Sequence, residues 1–275
     1  MLRGHRAVNA RVEHVANLAE VTEKLQGPPA ILLSASVPYK RTPPKDATAT
    51  QRKRLAALNR PYLESSQPAR IRAAVIALTR SILMRGMRLV FGAHPAISPM
   101  VLSAGRDVQP ESHGAEAKPE SAGTEPRILI FQSQYFEREL PDSTLDLASW
   151  DAGLLVFTPV VRVRGKPREY WRSPSLNLMR ELMVSVPGLC AAIFVGGMEG
   201  VAQEAALFRE RHPEKPMYPI ASTGSAAQDL WQLDPIRYSS VFDHSSVQQD
   251  NPSYSVVAAQ ILADLHLEGP SDGQR

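Results

Sequence analysis

Between Ala191 and Phe208 the chain reads AAIFVGGMEGVAQEAALF. An apolar run, Ala191 to Val195, meets the adjacent glycines Gly196 and Gly197. Met198, Glu199 and a third glycine, Gly200, follow, and then a helical pattern containing Glu204. The order strand, glycine turn, helix start carries chemistry. Glycine has no Cβ, so a ligand can approach the backbone closely. The first N–H groups of a helix lack partners and carry partial positive charge, which suits phosphate. The turn is therefore expected to hold something nucleotide-like; the plainer alternative is a close strand–helix packing turn. Glu204 falls about one turn into the helix and is expected to face the crevice. There a carboxylate can accept hydrogen bonds from ribose hydroxyls or steer an oxocarbenium-like transition state. Otherwise it is an exposed acid that suits the helix dipole. Glu199 is a competing carboxylate nearer the turn.

Other strand ends offer further candidates. Ser34 and Ser36 close the run AILLSAS, and hydroxyls with backbone N–H groups there can hold phosphate or simply form a turn. Gly92 and His94 lie in RLVFGAHPAISPMVL. Gln132 and Gln134 close RILIFQSQYF and can read base or ribose edges. Thr223, Gly224 and Ser225 open a helix after KPMYPIAST, either as an anion site or as an N-cap. Arg180 and Arg172 present guanidinium forks suited to phosphate, with ion pairs to Glu181 or Glu169 as the alternative. No other His or Cys stands at ligand spacing from His94, so no metal is expected. No Ser-His-Asp spacing or P-loop lysine supports acyl transfer or ATP hydrolysis.

The elements that must position these residues alternate. Val12 to Gln26 has helical spacing and stops at Gly27-Pro28-Pro29. Strands are expected at 30–36, from 88, over 127–136 and 154–159, at 191–195 and over 215–223. Helices are expected over 68–86, 173–186 and 254–267. Residues 37–60, which hold Lys40, Arg41, Lys45, Arg52, Lys53 and Arg54, read as a long basic loop, either solvated or a lid over an anionic ligand. Residues 103–126 read as a polar, mobile excursion. The strands are continuous apolar runs, so both faces are covered, as in a parallel sheet sandwiched by helices. In such α/β sheets the ligand lies beyond the carboxyl ends of the strands, and the Gly- and Ser-rich turns all fall there. The division expected is an N-terminal helical extension (1–29), a Rossmann-like nucleotide-binding domain (30–235) and a C-terminal extension with one helix (236–275).

With 31 basic and 28 acidic residues among 275, the charge of +3 is too balanced for a nucleic-acid coat, which argues against a nucleic-acid partner. The single cysteine, Cys190, excludes an internal disulfide framework and fits a reducing compartment. No apolar stretch reaches the length of a membrane span and no secretory signal is evident, so a soluble cytoplasmic protein without a membrane partner is expected.

The Gly196–Glu204 segment is similar to the PGGxGTxxE signature of Lonely Guy proteins, with one residue inserted, Val195 in place of the proline and Val201 in place of the threonine. SLNLMREL (175–182) resembles that family's upstream helix with its arginine, which places Arg180 as the match. VFGAHPAISPMV and LLSAS resemble its other turns. In order, residues 30 to 235 thus resemble the SLOG superfamily, which unites Smf/DprA and Lonely Guy proteins. The resemblance is greatest to SLOG members of bacterial nucleotide-signalling conflict systems. It implies a Rossmann-like SLOG fold and a sensor of a nucleotide or NAD-derived ligand, with no further cofactor required. Output would come through an effector protein on another chain or through a homo-oligomer whose state the ligand changes. The alternative it implies is a nucleoside 5′-monophosphate phosphoribohydrolase in which Glu204 and Arg180 are catalytic. A DNA-binding protein of the Smf/DprA kind is a further alternative.

Overall fold

The computed structural model describes residues 10–40, 48–108, 125–235, 238 and 253–265. Among them seven strands form one parallel sheet: β1 (Val12–His14), β2 (Ala30–Ser36), β3 (Arg88–Gly92), β4 (Ile128–Ser133), β5 (Gly153–Thr158), β6 (Leu189–Gly196) and β7 (Met217–Ile220). Their order is β1-β5-β4-β3-β2-β6-β7. The chain moves outward from β2 through β3, β4 and β5, then returns to the other side of β2 for β6 and β7. The order therefore reverses between β2 and β6, which pair in register from Ile31–Ala191 to Ser36–Gly196.

Successive residues of a strand point to opposite faces, and β2 shows how the sheet uses this. Ile31 and Leu33 enter a core built with α3 (Pro68–Met84), α4 (Ser98–Arg106), α5 (Asp142–Ala148) and the C-terminal helix α9 (Tyr254–Asp264). Ala30 and Leu32 enter a second core with α1 (Leu18–Lys24), α6 (Arg172–Met183), α7 (Glu199–Arg211) and α8 (Ser225–Leu233). The inner strands are apolar on both faces because both faces are covered. The architecture is the α/β, Rossmann-like sandwich that the continuous apolar runs imply.

Three local expectations are corrected. Val12–His14, expected to be helical, is the edge strand beside β5, in register Val12–Leu155 to His14–Phe157. The helix starts only at Leu18, where the Asn17 side chain accepts from the Glu20 N–H. The basic stretch 37–60 is not one long loop. Thr48 and Gln51 form a capping box that opens α2 (Ala49–Ser65), so Arg52, Lys53 and Arg54 stand on a helix, exposed. Arg41 and Lys45 lie outside the described residues. Of the excursion 103–126, residues to Arg106 complete α4, and 109–124 lie outside the described residues.

At the amino ends of the strands, Arg88 is buried, with 1% exposure. Its guanidinium donates to the carbonyls of Leu25, Gln26, Pro28 and Pro187 at 2.6 to 3.1 Å. These carbonyls belong to the end of α1, the Gly27-Pro28-Pro29 breaker and the turn before β6. One side chain thus ties three chain reversals beneath the sheet.

Candidate functional site

A cavity of about 650 Å³ opens at the carboxyl ends of the strands, where the strand order reverses and where such sheets bind ligands. Its lining runs from the end of β2 (Ser36, Val37 and Tyr39) past the β3 turn (Gly92, His94) and Gln132 of β4 to Arg172, Leu176, Met179 and Arg180 of α6. It ends on Met198, Gly200, Val201 and Glu204 around the start of α7.

The floor is an ion pair between two helices. Arg180, in the last turn of α6, places Nε 3.4 Å from Oε1 of Glu204, and each side chain is 13% exposed. The Ser34 hydroxyl donates to Oε2 of Glu204 at 2.6 Å. Burial raises the Glu204 pKa, while Arg180 and the Ser34 hydrogen bond oppose the rise. Gly200 makes room for the pair, because a Cβ there would lie 3.0 Å from Nη2 of Arg180.

Helix α7 begins at Glu199, and no side chain caps it at Met198. Its first N–H groups lack intrahelical partners by geometry, and Met198, Gly200 and Val201 bring this end to the cavity. Gly196 and Gly197 serve the turn differently from the expectation that they admit a ligand. Their φ values are +56° and +91°, left-handed conformations that side chains disfavour. Both residues are buried, outside the lining. A Cβ would lie 2.4 Å from Cδ1 of Ile71 at Gly196 and 2.2 Å from Cγ2 of Val201 at Gly197.

His94 stands in the wall. Its Nδ1 accepts from the Ala96 N–H at 3.2 Å, and burial pulls its pKa down to about 4. The ring is neutral at neutral pH, with its proton on Nε2. Arg172 stands at the mouth with its guanidinium carbon 5.7 Å from the Phe136 ring centroid.

Ser36, Gly92, His94, Gln132, Arg172, Arg180, Met198, Gly200 and Glu204 are thus brought together. Ser34 lies behind Glu204, and Glu199 is exposed and accepts from Gln203. Gln134 is outside the lining, within 3.3 Å of His14. Thr223, Gly224 and Ser225 do not reach the cavity. The Thr223 hydroxyl accepts from the Gly196 N–H and donates to the Ile220 carbonyl. The Ser225 hydroxyl donates to the Tyr62 carbonyl, and its N–H donates to Ser65. The start of α8 is therefore closed by the end of α2. Tyr39, Phe136, Leu176 and Met179 were not anticipated. The first two follow strand ends, and the other two share the Arg172–Arg180 face of α6 by helical spacing.

Among the described residues no three His, Cys, Asp or Glu side chains are grouped as metal ligands, and no helix is long and apolar enough to cross a membrane. The polar set is instead one suited to organic anions and polyols: a helix start, two guanidinium groups, two carboxylates (Glu204 on the floor and Glu139) and a neutral imidazole.

The model of the SLOG cluster3 family matches residues 61–246, more than half of the chain. The chain belongs to this family. No curated protein matches it. The SLOG match takes in β3 to β7, α3 to α8, the ion pair and the glycine turn, whereas β1, β2 and most of α2 precede it.

Proposed function

We propose that this SLOG protein binds a nucleotide or an NAD-derived molecule at the carboxyl ends of its sheet and acts as a ligand sensor in a bacterial nucleotide-signalling or defence system. The observation that carries the reading is the buried Arg180–Glu204 pair on the cavity floor, beside the uncapped start of α7. Phosphate takes the helix start and the guanidinium edges. Ribose hydroxyls donate to Glu204, which keeps acceptor capacity beyond its bonds to Ser34 and Arg180. The neutral ring of His94 adds a donor at the wall. A dedicated effector on another chain or a change in oligomeric state would carry the output from the cytoplasm.

A second reading is hydrolysis of an N-glycosidic bond. It is favoured by one observation: a carboxylate with a raised pKa paired to an arginine on the cavity floor. In that reaction water adds to the anomeric carbon as the bond to the base breaks, and the base leaves with a proton. Glu204 would stabilise the developing positive charge.

Calorimetric titration with AMP, NAD, ADP-ribose and cyclic dinucleotides, followed by chromatography of each sample, tests both readings. Saturable heat with intact ligand, lost in Arg180→Ala, is the expected result. Released base that disappears in Glu204→Gln would replace the sensor by the hydrolase. Silence from the whole panel would overturn both.

A further inference from the structure

The cavity mouth continues outward as a ladder of arginines, each set over an aromatic ring at cation–π distance. The turn Gln134–Glu139 after β4 carries Tyr135 and Phe136, whose rings meet edge to face at 4.8 Å between centroids. Each ring holds a guanidinium. Arg172 lies over Phe136 at 5.7 Å, and both line the cavity. Arg168 lies over Tyr135 at 5.0 Å, one step farther out and outside the cavity lining, and donates to the Tyr135 carbonyl at 2.9 Å. Arg162 repeats the arrangement over Trp171 at 5.7 Å. Among the described residues none of these three arginines forms an ion pair, although Glu169 lies next to Arg168 in sequence and Glu139 lines the cavity with Arg172.

Such a guanidinium is held in place by the ring beneath it while its N–H edge remains open to phosphate. Its second face can accept a stacked base. A mononucleotide that satisfies the floor would leave this ladder unused. We infer that the site takes a ligand of two nucleoside units joined through phosphate, with one unit on the Arg180–Glu204 floor and the linking phosphate and second base on the Arg172–Phe136 and Arg168–Tyr135 steps. The inference rests on the nucleotide reading of the cavity. A diphosphate bridge, as in NAD, and a phosphodiester bridge, as in diadenylates, share this chemistry.

The test is calorimetric comparison of AMP with NAD, linear 5′-phosphorylated diadenylate and cyclic diadenylate. At least one dinucleotide is expected to bind about tenfold more tightly than AMP, the size of one stacked base, and which one does so names the bridge. Phe136→Ala should lower the dinucleotide-to-AMP affinity ratio at least fivefold and Phe136→Tyr should restore it. Arg168→Ala, on the exposed rim, should lower the same ratio and guards against misfolding of the Phe136 variant. AMP binding as tightly as every dinucleotide, or a ratio unmoved by these variants, overturns the inference and leaves the nucleotide reading intact. If neither AMP nor a dinucleotide binds, both readings fall. Affinity that keeps rising along a series of 5′-phosphorylated oligoadenylates from two to eight nucleotides would also overturn it, in favour of a single-stranded nucleic acid.

Discussion

The two ends of the sheet each bury an arginine, and they use it in opposite ways. Beneath the sheet, Arg88 spends four of its donors on backbone carbonyls and, among the described residues, meets no carboxylate within ion-pair distance. Above it, Arg180 has one partner, Glu204, at 3.4 Å, and beyond that pair lies a cavity of about 650 Å³. A buried cation must be satisfied. Using four of its five N–H donors on carbonyls makes Arg88 a structural clamp, because little of the fork is left for anything else. A single long contact to a carboxylate leaves most of a guanidinium fork uncommitted, as a receptor for an anion requires. The same residue type serves as a clamp where the fold has used most of its donors and is left open to a ligand where it has not.

The contrast predicts its largest effect at the clamp. Arg88→Ala orphans four carbonyls and opens a void, so urea denaturation followed by circular dichroism should show a loss of about 3–5 kcal/mol. Arg180→Met should lower stability by no more than about 1–2 kcal/mol, since Glu204 can take up a proton, while nucleotide affinity falls about 100-fold. Equal destabilisation by the two substitutions would erase the distinction between clamp and receptor.

His94 sharpens the comparison through pH. Burial holds its folded pKa at about 4 against an ordinary value of 6.5. Between these values the unfolded chain binds the proton and the folded one does not, so stability is full above pH 6.5 and falls as the pH drops toward 4. Below that the loss is complete. Against His94→Gln, wild type should lose up to about 3 kcal/mol across this window and nothing from pH 6.5 to 8. A flat difference would mean that the ring is not held dry in the cavity wall.

Glu204 titrates with the opposite sign. Burial raises its folded pKa above 4.5, so the folded state holds this proton more tightly than the unfolded chain. The resulting stabilisation is fully present below pH 4.5 and is lost as the pH rises through the folded value. Relative to Glu204→Gln, wild type should therefore be more stable at pH 4.5 than at pH 8. A gain on alkalinisation would show that Arg180 outweighs burial and that the floor is a closed ion pair rather than an open one.

Much of this was legible from the chain, for reasons that also explain what was not. Strands β2 to β7 are apolar runs bounded by Gly or Pro, and such runs announce buried strands. β1 is only three residues long, and its partner, β5, lies more than a hundred residues away, so no local pattern marks it. α2 buries little, Asn59 among it, and lacks an apolar stripe; its signal was the Thr48–Gln51 capping box. At the candidate site, the glycine turn marked a strand end beside the cavity but not which residues line it. The turn needs Gly196 and Gly197 for backbone conformation and packing, while Met198 and Gly200 reach the cavity. The closed start of α8 depends on Tyr62 and Ser65, about 160 residues earlier in the chain, and no spacing rule reaches that far.

Ser34 carries the smallest and most diagnostic effect. By strand alternation it shares the face of Leu32, toward α6 and α7, and its hydroxyl meets Glu204 rather than the cavity. Ser34→Ala removes one hydrogen bond to a buried carboxylate, about 1 kcal/mol, and should weaken nucleotide binding about three- to tenfold. Because the lost bond favours the ionised acid, the Glu204 pKa should rise further, and the stability gain on acidification should begin at higher pH than in wild type. In a Glu204→Gln background the same substitution should have less than half its effect on affinity, since the two residues act through one contact. Additive losses in that cycle would mean that Ser34 meets the ligand itself, and the carboxylate would then owe its position to Arg180 alone.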